Sequence, residues 1–211
     1  PADFKAAVEK AGLKSLSTHT MRGLSKEELE AGAPSEATMQ WWDECIAAHK
    51  AAGMEYIVCP GHHIPNTLKD LKTWCEYHNA IGKKCAEAGL KYGYHNHAYE
   101  FKKVEDKVMI DDMIENTDPQ YVFFEMDVYW VMMGQASPVD YFNRYPGRFK
   151  LLHIKDRKEI GQSGMVGFDA IFKNAELAGV ENIVVEVEGL KGEALMPGMV
   201  QSAEYLLDAD F

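Results

Sequence analysis

A helix that closes on glycine and runs straight into an apolar segment occurs four times in this chain. The junctions are Lys10-Ala11-Gly12-Leu13, Ala51-Ala52-Gly53-Met54, Glu87-Ala88-Gly89-Leu90 and Leu177-Ala178-Gly179-Val180. Glycine there supplies the left-handed residue that ends a helix, and the next apolar residue opens a strand. Strands that alternate with helices need crossover connections, and crossovers build a parallel sheet.

Periodicity fills in the remaining elements. It predicts helices over 3–11, 36–52, 67–88, 108–116, 139–145, 169–178 and 202–209, and strands over 13–18, 55–59, 91–97, 121–127, 149–155 and 183–188. A hairpin-like stretch follows the third strand. Six strands fall two short of an eight-stranded barrel, which typically runs to ~250 residues. The sequence opens with a helix, so the first strand is expected in a segment preceding Pro1. The seventh is expected to be short and hidden in the glycine-containing loop 156–167. The expected fold is α/β, a (β/α)8 TIM barrel without its first strand, as a single domain over 1–211. An open doubly wound sheet is the alternative, but the sequence has no Gly-x-Gly-x-x-Gly fingerprint to support it.

Composition narrows the function classes. A net charge of −11 argues against a partner rich in phosphate, such as a nucleic acid. No apolar run approaches the ~20 residues that span a bilayer. Cys45, Cys59, Cys75 and Cys85 form no Cys-x-x-Cys pair, so free thiols are expected and a reducing compartment is mildly favoured. A cytoplasmic location fits, as would a periplasmic one if an N-terminal signal had been removed. Exposed aromatics on the helices would permit a homo-oligomer.

The chemistry lies at the strand ends. Apolar runs stop at Asp127, His153 and Glu186, and a fourth ends in His95-Asn96-His97 with Glu100 just beyond. Alternation puts Glu125 with Asp127, His153 with Lys155, and Glu186 with Glu188 on shared faces. Barrel enzymes place catalytic groups at such ends. Acids and a histidine buried there unpaired would be costly, and a shared divalent cation makes them compatible. Blander readings exist for each residue. Asp127 could cap the following turn, His153 could be a core histidine, and Tyr129 and Trp130 could be core aromatics. Lys155 could pair with Glu125 or Asp156, or hold a substrate oxygen. Glu188 is expected at the rim. His19 follows the first strand, and His62 and His63 follow the second. Either of the latter pair could act as a general acid/base, or simply be solvated.

Four segments in order carry a family resemblance: Gly93-Tyr94-His95-Asn96-His97-Ala98-Tyr99-Glu100-Phe101, Asp127-Val128-Tyr129-Trp130, His153-Ile154-Lys155-Asp156 and Val184-Val185-Glu186-Val187-Glu188. Together they resemble the sugar phosphate isomerase/epimerase family of the xylose isomerase-like barrels. The resemblance implies one divalent metal ion held by an acidic residue, an Asp, a His and a final Glu. Asp127, His153 and Glu186 match the last three. His95 stands where relatives have Glu, so the first ligand is either His95 or Glu100, with Glu100 favoured. The mixed donor set suits manganese, zinc or cobalt.

The expected activity is a metal-dependent sugar isomerase/epimerase of carbohydrate metabolism that works through an enediolate of a keto-sugar or related polyol. Glu186, Glu100, Lys155 and His62 are the candidate catalytic groups. His19, His63, His97, Trp130, Lys155 and Glu188 are the candidate substrate contacts. A dehydratase or lyase acting on a keto-inositol or 3-keto-glycoside shares the same chemistry. A non-catalytic sugar-binding barrel is the third reading, and a nuclease is disfavoured by the acidic balance. The expected partner is a small carbohydrate, with no nucleic acid and no membrane.

Overall fold

The computed structural model describes all residues from Pro1 to Phe211. They form two compact units, Pro1–His95 with Lys103–Phe123, and Asn96–Lys102 with Phe124–Phe211.

The first unit begins with α1 (Ala2–Lys10), β1 (Ser17–His19), α2 (Lys26–Ala31), α3 (Glu36–Ala51), β2 (Tyr56–Cys59), α4 (Leu68–Glu87) and β3 (Lys91–His95). A short hairpin, β4 (Lys103–Val104) with β5 (Lys107–Val108), then leads into α5 (Met109–Asn116). β1, β2 and β3 run parallel, with Ser17 opposite Tyr56 and Val58 opposite Gly93. Trp42 and Ile46 of α3, Leu71, Trp74 and Ile81 of α4, and Ile57 and Val58 of β2 are all buried. This is the helix-periodic apolar face read from the sequence. Gly93 is dictated by packing, since a Cβ there would lie 2.5 Å from the Phe123 ring.

β6 (Val122–Asp127) leads into the second unit, which continues with α6 (Val128–Met133), α7 (Pro138–Arg144), β7 (Leu151–Lys155), α8 (Phe168–Lys173), α9 (Ala175–Ala178), β8 (Asn182–Glu186) and α10 (Leu195–Asp208). β6, β7 and β8 are parallel neighbours. Asp127 lies opposite His153, and Lys155 opposite Glu186.

Several expectations need correction. The strand expected over 13–18 is only Ser17–His19, because Leu13 still bonds back to Val8 as part of the helix ending and is exposed. No strand forms in 156–167; a buried carboxylate organises that loop instead. Asp156 accepts hydrogen bonds from the backbone of Arg157 (2.7 Å), Gly161 (3.0 Å) and Ser163 (3.3 Å), and from the Ser163 hydroxyl. α2 and α6 were not expected. The Ser25–Glu28 capping box starts the former and Asp127 caps the latter. All four cysteines are free, and no helix is long and apolar enough to cross a membrane.

Candidate metal centre

The register of the second unit builds the site. Asp127 ends β6, and its neighbour His153 sits mid-way along β7. Glu186 ends β8 two residues beyond Val184, the partner of His153. Alternation therefore gathers one carboxylate, one imidazole and a second carboxylate on one side of three adjacent strands. Their ligand atoms lie within 4.8 Å of one another. His153 Nε2 is 3.3 Å from Glu186 Oε2. Donors about 2.1 Å from a common ion stand roughly 3–4 Å apart, so little closure is needed. This mixed N/O set fits a first-row divalent cation.

Neighbours hold each donor in place. Glu125, two residues before Asp127 and almost wholly buried, has Oε1 2.9 Å from His153 Nδ1. A carboxylate only accepts, so Nδ1 carries the hydrogen and Nε2 is left to face the other donors. Asp127 both caps and converges: its Oδ1 accepts the Trp130 N–H at 2.9 Å. Asn96 clamps the Asp127 backbone, its Oδ1 accepting the Asp127 N–H at 3.2 Å and its Nδ2 donating to the Asp127 carbonyl at 3.4 Å.

The charges are strongly coupled. Burial pushes the Asp127 carboxyl up to about 7, against the Trp130 hydrogen bond and the charges of His153 and Lys155. Burial works against a charged His153, yet the Glu125 hydrogen bond and the surrounding carboxylates raise its pKa above the ordinary value. Glu186 is drawn below its usual range by Lys155 and His153, which outweigh its own burial.

Lys155 pairs differently from expectation. Neither Glu125 nor Asp156 is its partner. Its ammonium lies 3.2 Å from Glu186 Oε2, bonds Glu188 Oε2, and sits 5.8 Å from the centre of the Tyr129 ring. Glu188 is at the rim, with its side chain 62% exposed.

The other candidates lie as follows. Glu100 is buried on a 3-10 turn, Tyr99–Phe101, where its Oε2 accepts the His97 N–H at 2.8 Å; it is not one of the three converging donors. The His97 ring stacks on Tyr99 at 5.5 Å and lies 5.9 Å from the Trp130 ring, forming a partly exposed aromatic group with Tyr129. His95, buried at the end of β3, has its ring 4.8 Å from that of exposed His19. His63 is exposed. His62 is a core histidine: it stacks on Trp74 at 4.0 Å, its Nδ1 donates to the His63 carbonyl at 2.9 Å, and burial lowers its pKa to about 4. The sequence reading named Asn96 only as part of a motif and missed its clamp on Asp127, and it missed the bond from His153 to Glu125. Glu125 was visible as the residue sharing a face with Asp127, but its partner depends on the register.

Comparison with known proteins gives the same fold. A sugar phosphate isomerase/epimerase from Parabacteroides distasonis superposes with a TM-score of 0.87 at 38% identity, covering 99% of this chain and 75% of that one. The 3-keto-D-glucoside 4-epimerase of E. coli superposes with a TM-score of 0.73 at 17% identity, a likeness of fold alone, over 97% of this chain and 83% of that one. The inosose dehydratase of Geobacillus kaustophilus is 38% identical over 72 residues, 34% of this chain and 23% of that protein. The match thus spans about a quarter of that curated relative's length. Residues 1–209 match the sequence family described as Xylose isomerase-like TIM barrel. With six parallel-paired strands, and an Asp, a His and a Glu converging from the adjacent strands β6, β7 and β8, the chain belongs to the xylose isomerase-like TIM barrel family.

Proposed function

We propose that this chain is a divalent-metal-dependent sugar isomerase or epimerase that moves a proton on the carbon beside a carbonyl of a keto-sugar or related polyol. The observation that carries the reading is the convergence of Asp127, His153 and Glu186 within 4.8 Å. When bound there, a divalent cation supplies Lewis acidity toward adjacent substrate oxygens. Glu186, half-exposed at the end of β8, is placed to take the proton and return it. The Lys155 ammonium beside it opposes the negative charge that develops on oxygen. Glu125 keeps His153 in the tautomer that leaves Nε2 available. Trp130, Tyr129 and His97 offer ring faces for the C–H face of a sugar, and Glu188 a polar rim. His19, exposed at the end of β1, and His63, exposed in the loop after β2, are proposed as further contacts. Glu100 and His95 are the two candidates for a further ligand, and Glu100→Ala beside His95→Ala separates them by metal content.

A dehydratase is the second reading. It is favoured by the inosose dehydratase relatives, since loss of a β-hydroxyl from the same enediolate is elimination. Both are tested by incubating the Mn²⁺- or Zn²⁺-loaded chain with a keto-inositol and a 3-keto-glucoside in D2O. Deuterium at the α-carbon with the carbon skeleton and hydroxyls retained supports the isomerase. Loss of water supports the dehydratase. Neither exchange nor elimination across both compounds would count against the proton-transfer reading.

A further inference from the structure

We propose that Lys155 and Glu188 set the metal affinity of this site without ligating: Lys155 competes with the cation for Glu186, and Glu188 draws Lys155 away. The inference rests on the metal reading above. Lys155 is 1% exposed, and an ammonium so deeply buried persists only when paired. Its pairing is unusual in being shared. Glu186 Oε2 lies 3.2 Å from the Lys155 ammonium, so the oxygen that would turn to a cation already faces positive charge. Glu188 meets the same ammonium from the rim, two residues further along the chain. The Tyr129 ring lies 5.8 Å from the ammonium and gives it a further favourable face.

Two carboxylates therefore divide one ammonium, and only one of them belongs to the converging donors. A dication arriving at Asp127, His153 and Glu186 meets the ammonium's repulsion and must release it from Glu186. Glu188 offers the place to which it moves. The fixed charge of Lys155 thus weakens metal binding, while the charge of Glu188 strengthens it from outside the donor set. This explains why a rim glutamate reaches inward to a buried lysine although the lysine already has a partner.

The test is titration of the metal-free full chain with Mn²⁺ and with Zn²⁺ against a competing chelator, with the fold checked by circular dichroism. A unit charge a few ångströms from a dication in a half-exposed site changes affinity on the order of tenfold. Lys155→Met is expected to bind metal about tenfold more tightly, and Glu188→Gln about tenfold more weakly. In the Lys155→Met background, Glu188→Gln should then have little further effect. A merely structural pair would show no such opposite signs. Glu188→Gln, exposed at the rim, carries the test alone if Lys155→Met folds poorly. Wild-type affinity in Glu188→Gln, or weaker binding in a folded Lys155→Met, overturns the proposal and leaves the metal site standing. No metal binding by the wild type overturns both.

Discussion

Replacing Glu125 with Gln tests the site without touching any of its three converging donors. Glu125 Oε1 accepts the His153 Nδ1 hydrogen at 2.9 Å in an almost wholly buried setting. A hydrogen bond to a charged group contributes about 1.5–3 kcal/mol, against about 1 kcal/mol for a neutral one. Gln keeps the shape and can still accept through its carbonyl, but it loses the charge that makes Nε2 a stronger donor to metal. The expected loss is therefore about 1–2 kcal/mol of metal binding, roughly tenfold in affinity. If Gln turns its amide towards Nδ1 instead, the tautomer reverses and Nε2 is no longer available, so the loss grows towards about a hundredfold. Glu125→Leu removes the acceptor and should match that larger value. Chelator competition at one fixed pH measures both variants, with circular dichroism to confirm folding. Wild-type affinity in folded Glu125→Gln and Glu125→Leu would refute the reasoning that an oriented His153 holds the cation.

Three further outcomes follow from the first unit and the loop after β7. His62 is neutral in the fold with a pKa of about 4 against an ordinary 6.5, so the unfolded chain takes its proton first as pH falls. Its contribution is complete above pH ~6.5 and is lost on descent towards pH ~4, about 3 kcal/mol in all. Buried His78 acts in the same direction, and urea midpoints across that window should flatten in His62→Phe. Gly82→Ala would gain about 1 kcal/mol from helix propensity alone. However, its Cβ would lie 2.4 Å from the Tyr121 carbonyl oxygen, and overpacking of about 1–3 kcal/mol should instead lower the melting temperature. Asp156→Ala leaves three backbone N–H groups and a hydroxyl of the 156–167 loop without their acceptor. It should cost about 2–4 kcal/mol and speed tryptic cleavage at exposed Arg157 and Lys158; unchanged cleavage would count against that role.

What the sequence revealed and what it hid have physical reasons. The junction glycines Gly12, Gly53, Gly89 and Gly179 have φ of +73°, +75°, +81° and +84°, as helix endings require, so the alternation could be read directly. The convergence of Asp127, His153 and Glu186 was legible because an ionisable side chain in or at the end of an apolar strand must find a compensating charge there. Partners could not be read. Whether Glu125 meets His153 or Lys155 depends on Asp127 lying opposite His153, a register set by the crossovers rather than by either strand alone. Asp127 as cap and Asp127 as candidate ligand looked like alternatives, yet one oxygen caps Trp130 while the residue still converges with His153 and Glu186. α10 starts at Leu195, seven residues before the expected 202, although Pro197 and Gly198 are poor helix formers. Pro197 falls in the first turn, where its missing N–H costs nothing, and Gly198 packs where a Cβ would meet Leu190 at 2.1 Å.

The most direct measurement is the metal content of the purified chain after exposure to Mn²⁺, Zn²⁺ and Co²⁺ and mild dialysis, beside Asp127→Asn and His153→Ala. Asp127→Asn keeps an oxygen to cap Trp130, so α6 should survive while the charge is lost. The expected result is about one divalent ion per wild-type chain, lost in both folded variants. A wild type that binds none of the three metals, or variants that retain them fully, would contradict a metal centre at Asp127, His153 and Glu186.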